Sequence, residues 1–195
     1  MKTSQAAPAA GANPQKPRKN GRIHVCPFSA VAATVHLHKA SRLLTCLNDD
    51  FMVETPRQIK PADHLRLAMH DINEPLADHV APNNDHIARM IDFAVTWGGE
   101  GPMVVHCWAG ISRSTAAAFT ALCAINPDAS EEAIALALRK ASPTAYPNRL
   151  IVRIADEALG RRGRMVRAVE AIGRGAIASE AVPFSLEAEH STPRR

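Results

Sequence analysis

The sequence predicts an α/β protein with a central, mostly parallel sheet of four to five strands flanked by helices. Short apolar strands alternate with helical segments up to about residue 125, and the chain beyond that point has the pattern of helices alone. Strands separated by helices pair in parallel and have helices on both faces of the sheet. The 195 residues, 46% of them hydrophobic, are enough for one domain with a core of its own.

Four segments have the character of buried strands. Each is short, is rich in Ile, Val, Leu or Met, and is bounded by polar or turn-forming residues. In chain order the predicted strands are IHVCPF at 23–28, RLLTCLN at 42–48, LRLAMH at 65–70 and PMVVH at 102–106.

The segments between and after these strands have helical periodicity. Asn83 or Asn84 can cap the second helix, and the GGEG turn ends it. Ser130 can cap a later helix that carries glutamates in its first turn. The predicted helices are VAATVHLHKA at 31–40, NNDHIARMIDFAVTW at 83–97, ISRSTAAAFTALCAI at 111–125, SEEAIALALRKA at 130–141, and one or two within 147–173, broken near Gly160 and Gly163.

Compositional bias sets the predicted domain boundaries. Residues 1–21 are rich in Ala, Pro, Gly and basic residues, and they are predicted to form a disordered tail. Residues 175–195 have a weaker bias of the same kind and are predicted to form a second disordered tail. The folded domain is therefore expected to span residues 22–174.

Composition also narrows the functional classes. The net charge of +4 is a mild basic excess that suits an anionic substrate without being distinctive. The four cysteines include no C-x-x-C pair and the nine histidines show no ligand spacing, so no metal and no cofactor are predicted. No apolar run approaches the roughly 18 residues of a membrane span, and the N-terminus lacks an apolar stretch of signal-peptide length. We therefore predict a cytoplasmic protein whose thiols stay reduced.

The stretch VVHCWAGISRS at 104–114 combines a strand, a tight loop and the start of a helix. The loop is expected at the carboxyl edge of the sheet, where α/β proteins bind ligands. Its backbone N–H groups and the helix N-terminus predict a cradle for an anion. Gly110 permits the tight turn, and the Arg113 guanidinium can donate two parallel hydrogen bonds to phosphate oxygens. The predicted phosphate-binding residues are Trp108, Ala109, Gly110, Ile111, Ser112 and Arg113.

Cys107 stands where a nucleophile would face that anion. The helix N-terminus and the nearby guanidinium favour the thiolate, which is the reactive form of the side chain. Ser114 can donate its hydroxyl hydrogen to the sulfur, which would stabilise the thiolate before attack and when it leaves. Cysteine, cradle and arginine together predict phosphoryl transfer through a cysteinyl-phosphate. The other cysteines, at 26, 46 and 123, are expected to be small core residues.

HCWAGISRS resembles the H-C-x5-R-[ST] loop of the cysteine-dependent protein tyrosine phosphatases, and its AGISRS portion is closest to the dual-specificity branch. The resemblance covers roughly residues 22–160, clearly at the loop and loosely elsewhere. It implies a sheet flanked by helices, Cys107 and Arg113 as catalytic residues, and no metal. It also implies a phosphomonoester hydrolase that acts on phosphotyrosine, with phosphoserine and phosphothreonine left open. His106 precedes the nucleophile as in the family, and its implied role is to order the loop.

In the family, an aspartate on a separate loop before the cysteine protonates the leaving group. Asp71 follows the strand LRLAMH at the favoured position and is the first candidate for this general acid. Asp78, further along the same loop, is the main rival, and Glu74 is a weaker one. The competing interpretation of Asp71 is a solvated loop carboxylate or a turn cap.

The resemblance also bears on two residues outside the loop. Asn148 is predicted to cap the helix that follows it; in the family this region flanks the active loop, where Asn148 and Arg149 would order the loop or contact phosphate. Some relatives protect the nucleophile by a disulfide to a cysteine in a similar strand. Cys46 would take that role if its strand lies beside that of Cys107, within the distance that a disulfide spans.

The sequence leaves more than one possibility open for the partner and for the type of activity. A phosphorylated protein or a small phosphomonoester is the expected partner, because the loop lacks the basic residues of relatives that act on inositol phosphates. A catalytically weak phosphate-binding adaptor, a pseudophosphatase, would keep the same loop. Sulfur transfer of the rhodanese type also uses a cysteine loop, but the H-C-x5-R-S spacing argues against it. The arginine-rich segment 161–175 is expected to be a solvated face, and no nucleic-acid partner is expected.

Overall fold

The computed structural model describes residues 20–191, and within this range it contains the predicted strands, the predicted helices and one further strand. The strands are β1 (Arg22–Pro27), β2 (Arg42–Leu47), β3 (His64–Ala68), β4 (Pro102–Cys107) and β5 (Phe184–Glu187). The helices are α1 (Val31–Leu37), α2 (Asn84–Trp97), α3 (Arg113–Ile125), α4 (Glu131–Ala141), α5 (Arg149–Ala158) and α6 (Arg164–Ala171).

The strands form one sheet in the order β3, β2, β4, β1, β5. The first four are parallel, and β5 is antiparallel to β1. The predicted fold class, a mostly parallel sheet flanked by helices, is confirmed. β4 lies at the centre, with β1 and β2 as its neighbours, so the loop that follows Cys107 leaves from the middle of the carboxyl edge.

Alternate residues of β4 face opposite sides of the sheet, as the period of a strand requires. Met103, Val105 and Cys107 belong to the larger core, which the sheet shares with α2 to α6. Val104 belongs to a smaller core under α1, on the other face. This alternation places the sulfur of Cys107 on the same side of the sheet as α3.

The helix boundaries follow their capping residues. The side chain of Asn83 accepts a hydrogen bond from His86 N at the start of α2, and Gly98 ends this helix in the left-handed conformation. Ser130 caps α4 and Asn148 caps α5 in the same way. Within the described range no helix is both long and apolar enough to pass through a lipid bilayer.

The prediction of a disordered tail over 175–195 is wrong for the part that the structure describes. Phe184–Glu187 pairs with β1, and Ala188 N continues the pairing by donating to Gly21 O at 2.9 Å. Asn126 holds the strand end, because its amide donates to Ala188 O at 2.8 Å. The strand has only four residues and one fully buried side chain, so the apolar alternation that would reveal it is too short to detect. Residues 1–19 of the other predicted tail, and 192–195 here, lie outside the described residues.

Part of the arginine-rich segment is structural, which corrects the prediction of a solvated face. Arg161 is buried and donates hydrogen bonds to Glu131 Oε1 at 3.1 Å and to Cys123 O at 2.6 Å. Arg164 contacts the same carboxylate at 3.2 Å. A buried charge requires such partners, so these two arginines fasten the turn before α6 onto α3 and α4.

Candidate active site

Residues 107–113, which we call the cysteine loop, connect the last residue of β4 to the first residue of α3. Gly110 has a φ of +72°, which a glycine adopts without strain. A Cβ at this position would lie 2.8 Å from Pro27 N and 2.9 Å from Cys26 C. The loop therefore packs directly on the end of β1, and only glycine fits there.

Four carbonyl groups of the cysteine loop accept hydrogen bonds from backbone donors outside the loop. The pairs are Phe28 N to Trp108 O (2.9 Å), Ala181 N to Ala109 O (2.8 Å), Tyr146 N to Ile111 O (2.9 Å) and Asn148 N to Ser112 O (3.3 Å). In a trans peptide the following N–H points away from the carbonyl, so the loop turns its donors to the opposite, concave side. The N–H groups turned that way are those of Ala109, Gly110, Ser112 and Arg113.

The concave side has the properties of an anion site. Ser112 precedes α3 without capping it through its side chain, so the first N–H groups of this helix keep their unpaired donors. These donors and the positive end of the helix dipole favour a bound anion. That a phosphate binds here stays a prediction from the sequence.

Cys107 is buried at the base of the loop, with 1% of its surface exposed. Its sulfur lies 3.1 Å from the hydroxyl oxygen of Ser114, in the first turn of α3. This contact is the one predicted from the sequence spacing. A hydroxyl hydrogen directed at the sulfur stabilises the thiolate, and it also stabilises that thiolate as a leaving group.

Arg113 is almost fully buried, and its orientation is fixed by one hydrogen bond from Nη1 to Met69 O at 2.7 Å. Its Nε lies 3.9 Å from Asp71 Oδ2 and has no hydrogen-bond acceptor among residues 20–191. A buried guanidinium with an unused donor is costly unless a ligand satisfies it. Phosphate oxygens are the natural partners of this planar group.

Asp71 lies against the other end of the loop. Its Oδ1 accepts hydrogen bonds from Ser112 Oγ at 2.6 Å and from Asn148 Nδ2 at 2.8 Å. Asn148 also caps α5 through its Oδ1, so the two roles considered for this residue, cap and loop support, occur together. Among the described contacts of the cysteine loop, Asp71 contributes a carboxylate, and neither Asp78 nor Glu74 does.

The comparisons with known proteins agree with this geometry. The family model described as protein-tyrosine phosphatase matches residues 35–141, which is more than half of the chain. The chain belongs to the protein-tyrosine phosphatase family. The resemblance that the cysteine loop indicated is thereby confirmed. A comparison with curated proteins found no match.

Several solved structures share the phosphatase fold. The crystal structure of DUSP15 has 18% sequence identity and a TM-score of 0.54, covering 78% of this chain and 95% of that chain. That of PTPMT1 in complex with PI(5)P has 16% identity and a TM-score of 0.55, covering 75% and 97%. The human tyrosine phosphatase-like serine/threonine/tyrosine-interacting protein has 16% identity and a TM-score of 0.55, covering 72% and 92%. At these identities the similarity shows the fold.

His106 of this phosphatase domain is the end of a buried hydrogen-bond chain that the sequence did not reveal. Thr45 Oγ1 lies 2.8 Å from His106 Nε2 and 2.9 Å from His64 Nε2. Thr55 Oγ1 lies 2.9 Å from His64 Nδ1. A hydroxyl donates only one hydrogen, so at least one of the two imidazoles must donate to Thr45. Strand adjacency brings these residues together, and sequence spacing gives no sign of it.

The two imidazoles of this hydrogen-bond chain, those of His64 and His106, are neutral near pH 7. Burial lowers the pKa of His106 to about 4; a backbone hydrogen bond with Cys107 opposes this shift, and the nearby His64 and Arg113 add to it. Burial and the Arg66 charge lower the pKa of His64 to about 4. A neutral His106 carries no charge beside the cysteine loop, and its role in ordering the loop stays a prediction.

Cys46 lies on the strand beside that of the nucleophile. The parallel register of β2 and β4 pairs Thr45 with His106, so the next positions along these strands are Cys46 and Cys107. Both belong to the larger core, on the same face of the sheet. Burial strongly raises the pKa of the Cys46 thiol. The strand adjacency that the disulfide hypothesis required is therefore present, while both thiols are reduced in the structure.

Proposed function

We propose that this phosphatase-family protein hydrolyses phosphotyrosine in proteins, with Cys107 as the nucleophile. The observation that carries the proposal is the cysteine loop, four of whose carbonyls accept hydrogen bonds from donors outside it, beside a buried Arg113 whose Nε has no acceptor among residues 20–191. A phosphoryl group in this cradle would have three oxygens bound and the phosphorus facing Cys107. Activity on phosphoserine and phosphothreonine is a secondary expectation from the dual-specificity resemblance. The reduced thiol that this chemistry needs fits a cytoplasmic location.

In the first step the Cys107 thiolate attacks phosphorus, and the bond to the substrate oxygen breaks. The loop N–H groups and the Arg113 guanidinium stabilise the charge on the three equatorial oxygens. Asp71, held at the Ser112 end of the loop, donates its proton to the leaving oxygen. The products are the free alcohol or phenol and a cysteinyl-phosphate.

In the second step a water molecule attacks the phosphorus of the cysteinyl-phosphate. Asp71, now a carboxylate, accepts a proton from this water, and the sulfur leaves as a thiolate. The Ser114 hydroxyl, 3.1 Å from the sulfur, stabilises the departing charge. Inorganic phosphate is released and the enzyme returns to its starting state.

The first experiment is hydrolysis of p-nitrophenyl phosphate by wild type and by Cys107→Ser, with EDTA present throughout. We expect turnover by the wild type and its loss in the variant. Trapping of a phosphorylated Cys107 by rapid acid quench would identify the intermediate directly. No turnover by folded wild-type protein would favour the phosphate-binding adaptor, which would use the same loop to bind phosphate without hydrolysis.

A second experiment separates Asp71 from its rival. The Asp71→Asn variant should lose roughly 100-fold in kcat on phenyl phosphate, a substrate with a poor leaving group, and much less on p-nitrophenyl phosphate. The matched variant Asp78→Asn should retain wild-type kcat on both substrates. The reverse pattern would transfer the role of general acid to Asp78.

A further inference from the structure

Three exposed aromatic side chains meet at the Trp108 end of the cysteine loop, and we call Phe28, Phe51 and Trp108 the aromatic rim. The Phe28 and Trp108 rings stack with centroids 5.5 Å apart and planes 9° apart. The Phe51 ring approaches Trp108 edge-on at 4.9 Å. The three residues come from separate segments: the turn after β1, the turn after β2, and the loop itself.

The aromatic rim holds three of the eight aromatic residues of this chain, which has five Phe, two Trp and one Tyr in all. Phe93, Trp97 and Phe119 are in the core, and the remaining two are partly buried. The rim residues stay exposed, at 36% for Phe28, 47% for Phe51 and 46% for Trp108. Clustered aromatic rings that face solvent do little for the core, and such patches are characteristic of binding surfaces.

The aromatic rim is continuous with the catalytic loop. Trp108 directly follows the nucleophile, and its carbonyl accepts the N–H of Phe28 at 2.9 Å. The rim is therefore fixed in position relative to the phosphate cradle. Asp71 contacts the Ser112 end of the loop, whereas Trp108 follows Cys107 at the other end. A substrate that extends past its phosphorylated residue would reach the rim with a neighbouring side chain.

The carboxylates around the aromatic rim favour a polypeptide over an anionic lipid surface as its partner. Asp49 and Asp50 are exposed and directly precede Phe51. Glu180 accepts a hydrogen bond from Ser29 Oγ at 2.8 Å, next to Phe28. Three carboxylates beside the rings oppose the approach of an anionic lipid surface, which attracts basic and repels acidic segments. A polypeptide with an apolar side chain suits both the rings and their surroundings.

We propose that the aromatic rim binds an apolar side chain adjacent to the phosphotyrosine of a polypeptide substrate, and so determines substrate preference. The inference rests on the proposed function, because it assumes that phosphotyrosine occupies the cradle. Rigid aromatic rings lose little conformational entropy on binding, so they form effective contact sites.

The test uses two phosphotyrosine decapeptides that differ only in the neighbours of phosphotyrosine, which are phenylalanine in one and serine in the other. We expect the wild type to prefer the phenylalanine peptide by roughly tenfold in kcat/KM. Phe51→Ala should reduce this preference to about twofold, with each value divided by the same variant's kcat/KM on p-nitrophenyl phosphate. Leu136→Ala, at an exposed apolar residue of α4, is the control and should keep the wild-type preference.

A binding measurement separates failure of this inference from failure of the proposed function. Peptide binding to Cys107→Ser can be followed by tryptophan fluorescence, because Trp108 is exposed whereas Trp97 is buried. If the wild type has no turnover but Cys107→Ser still binds the phenylalanine peptide more tightly, the proposed function fails and the rim assignment stands. Equal affinity for both peptides would overturn the assignment. Equal affinity together with Phe51-dependent sedimentation on anionic phospholipid vesicles would replace it with a membrane contact.

Discussion

At the scale of single residues, Gly110 couples the conformation of the cysteine loop to the end of β1. Its φ of +72° strains any other residue, and a Cβ at this position would lie only 2.8 Å from Pro27 N. Both features therefore exclude a side chain here. Gly110→Ala should therefore displace the loop, with a loss of at least roughly 100-fold in kcat/KM on p-nitrophenyl phosphate, since displacements near 1 Å have effects of that size.

The control for that substitution is Gly160→Ala. Gly160 also has a positive φ, of +62°, but a Cβ there would meet no heavy atom within 4 Å. It should lose about 1 kcal/mol in unfolding free energy, as expected for alanine in the left-handed region, and retain activity. Equal activity of the two variants would show that the contact with β1 does not matter for the loop.

Cys46 can form a disulfide only because its strand lies beside the strand of Cys107. Peroxide should oxidise Cys107 to a sulfenic acid, which condenses with the Cys46 thiol to give a disulfide and release one water molecule. Neighbouring strands are about 4.8 Å apart, which is within the span of a disulfide. Activity lost to peroxide should return with dithiothreitol in the wild type and return far less in Cys46→Ser.

Peptide mapping of the oxidised protein checks the linkage behind that recovery. Cys26→Ser is the matched control, because Cys26 pairs with His106 and so faces the other side of the sheet. Its recovery should equal that of the wild type. An oxidised wild type without a 46–107 linkage would rule out the protective disulfide.

The site residues that the sequence alone predicts most directly are those that lie close to one another along the chain. Cys107, Arg113, Ser114 and Gly110 lie within eight positions of one another, and the loop geometry follows from that spacing. Phe51 and Thr45 could not be found in this way, because they reach the site only through strand order and the turns after the strands. Their proximity to the loop is a property of the tertiary structure.

At the scale of secondary-structure elements, β2 and β3 supply the hydrogen-bond chain that supports His106. Thr45→Val keeps the shape of the side chain and removes its hydroxyl, which leaves two buried imidazole nitrogens without this partner. We expect kcat/KM to fall roughly tenfold, the equivalent of about 1.4 kcal/mol. The pH profile of Cys107 alkylation by iodoacetamide should shift as well, which a purely structural loss would not cause.

Two variants test whether that effect belongs to the hydrogen bonds. Thr45→Ser retains the hydroxyl and should restore most of the activity. Thr120→Val, in α3, removes a buried hydroxyl that has no hydrogen-bond partner among residues 20–191, and it should leave the profile unchanged. An unchanged alkylation profile in Thr45→Val would show that the chain has no influence on the nucleophile.

Element prediction succeeded where periodicity was long and failed where it was short. The helices α2, α4 and α5, of ten or more residues each, begin at side-chain caps, and Gly98 ends α2. β5 has four residues, and it pairs with β1, which lies far from it in the sequence. This same segment brings Ala181 N to the cysteine loop, so a region predicted to be outside the domain supports the site.

At the scale of the whole molecule, buried histidines link folding to pH. Burial lowers the pKa of His24 to about 4, with smaller contributions from His38 and Arg22. His64 and His106 are lowered to about 4 as well. The unfolded value is near 6.5, so below that pH the unfolded chain binds protons that the folded protein does not, and stability falls as the pH falls.

The stability from these neutral histidines is fully present above pH 6.5 and is lost progressively between pH 6.5 and 4. Each should contribute roughly 1–2 kcal/mol to the difference in unfolding free energy between pH 7 and pH 5. Urea unfolding at the two pH values measures this difference. His24→Gln should reduce it, whereas His36→Gln, at an exposed histidine of α1, should not. If the wild type has the same unfolding free energy at pH 7 and at pH 5, the buried histidines are not the groups that couple folding to pH.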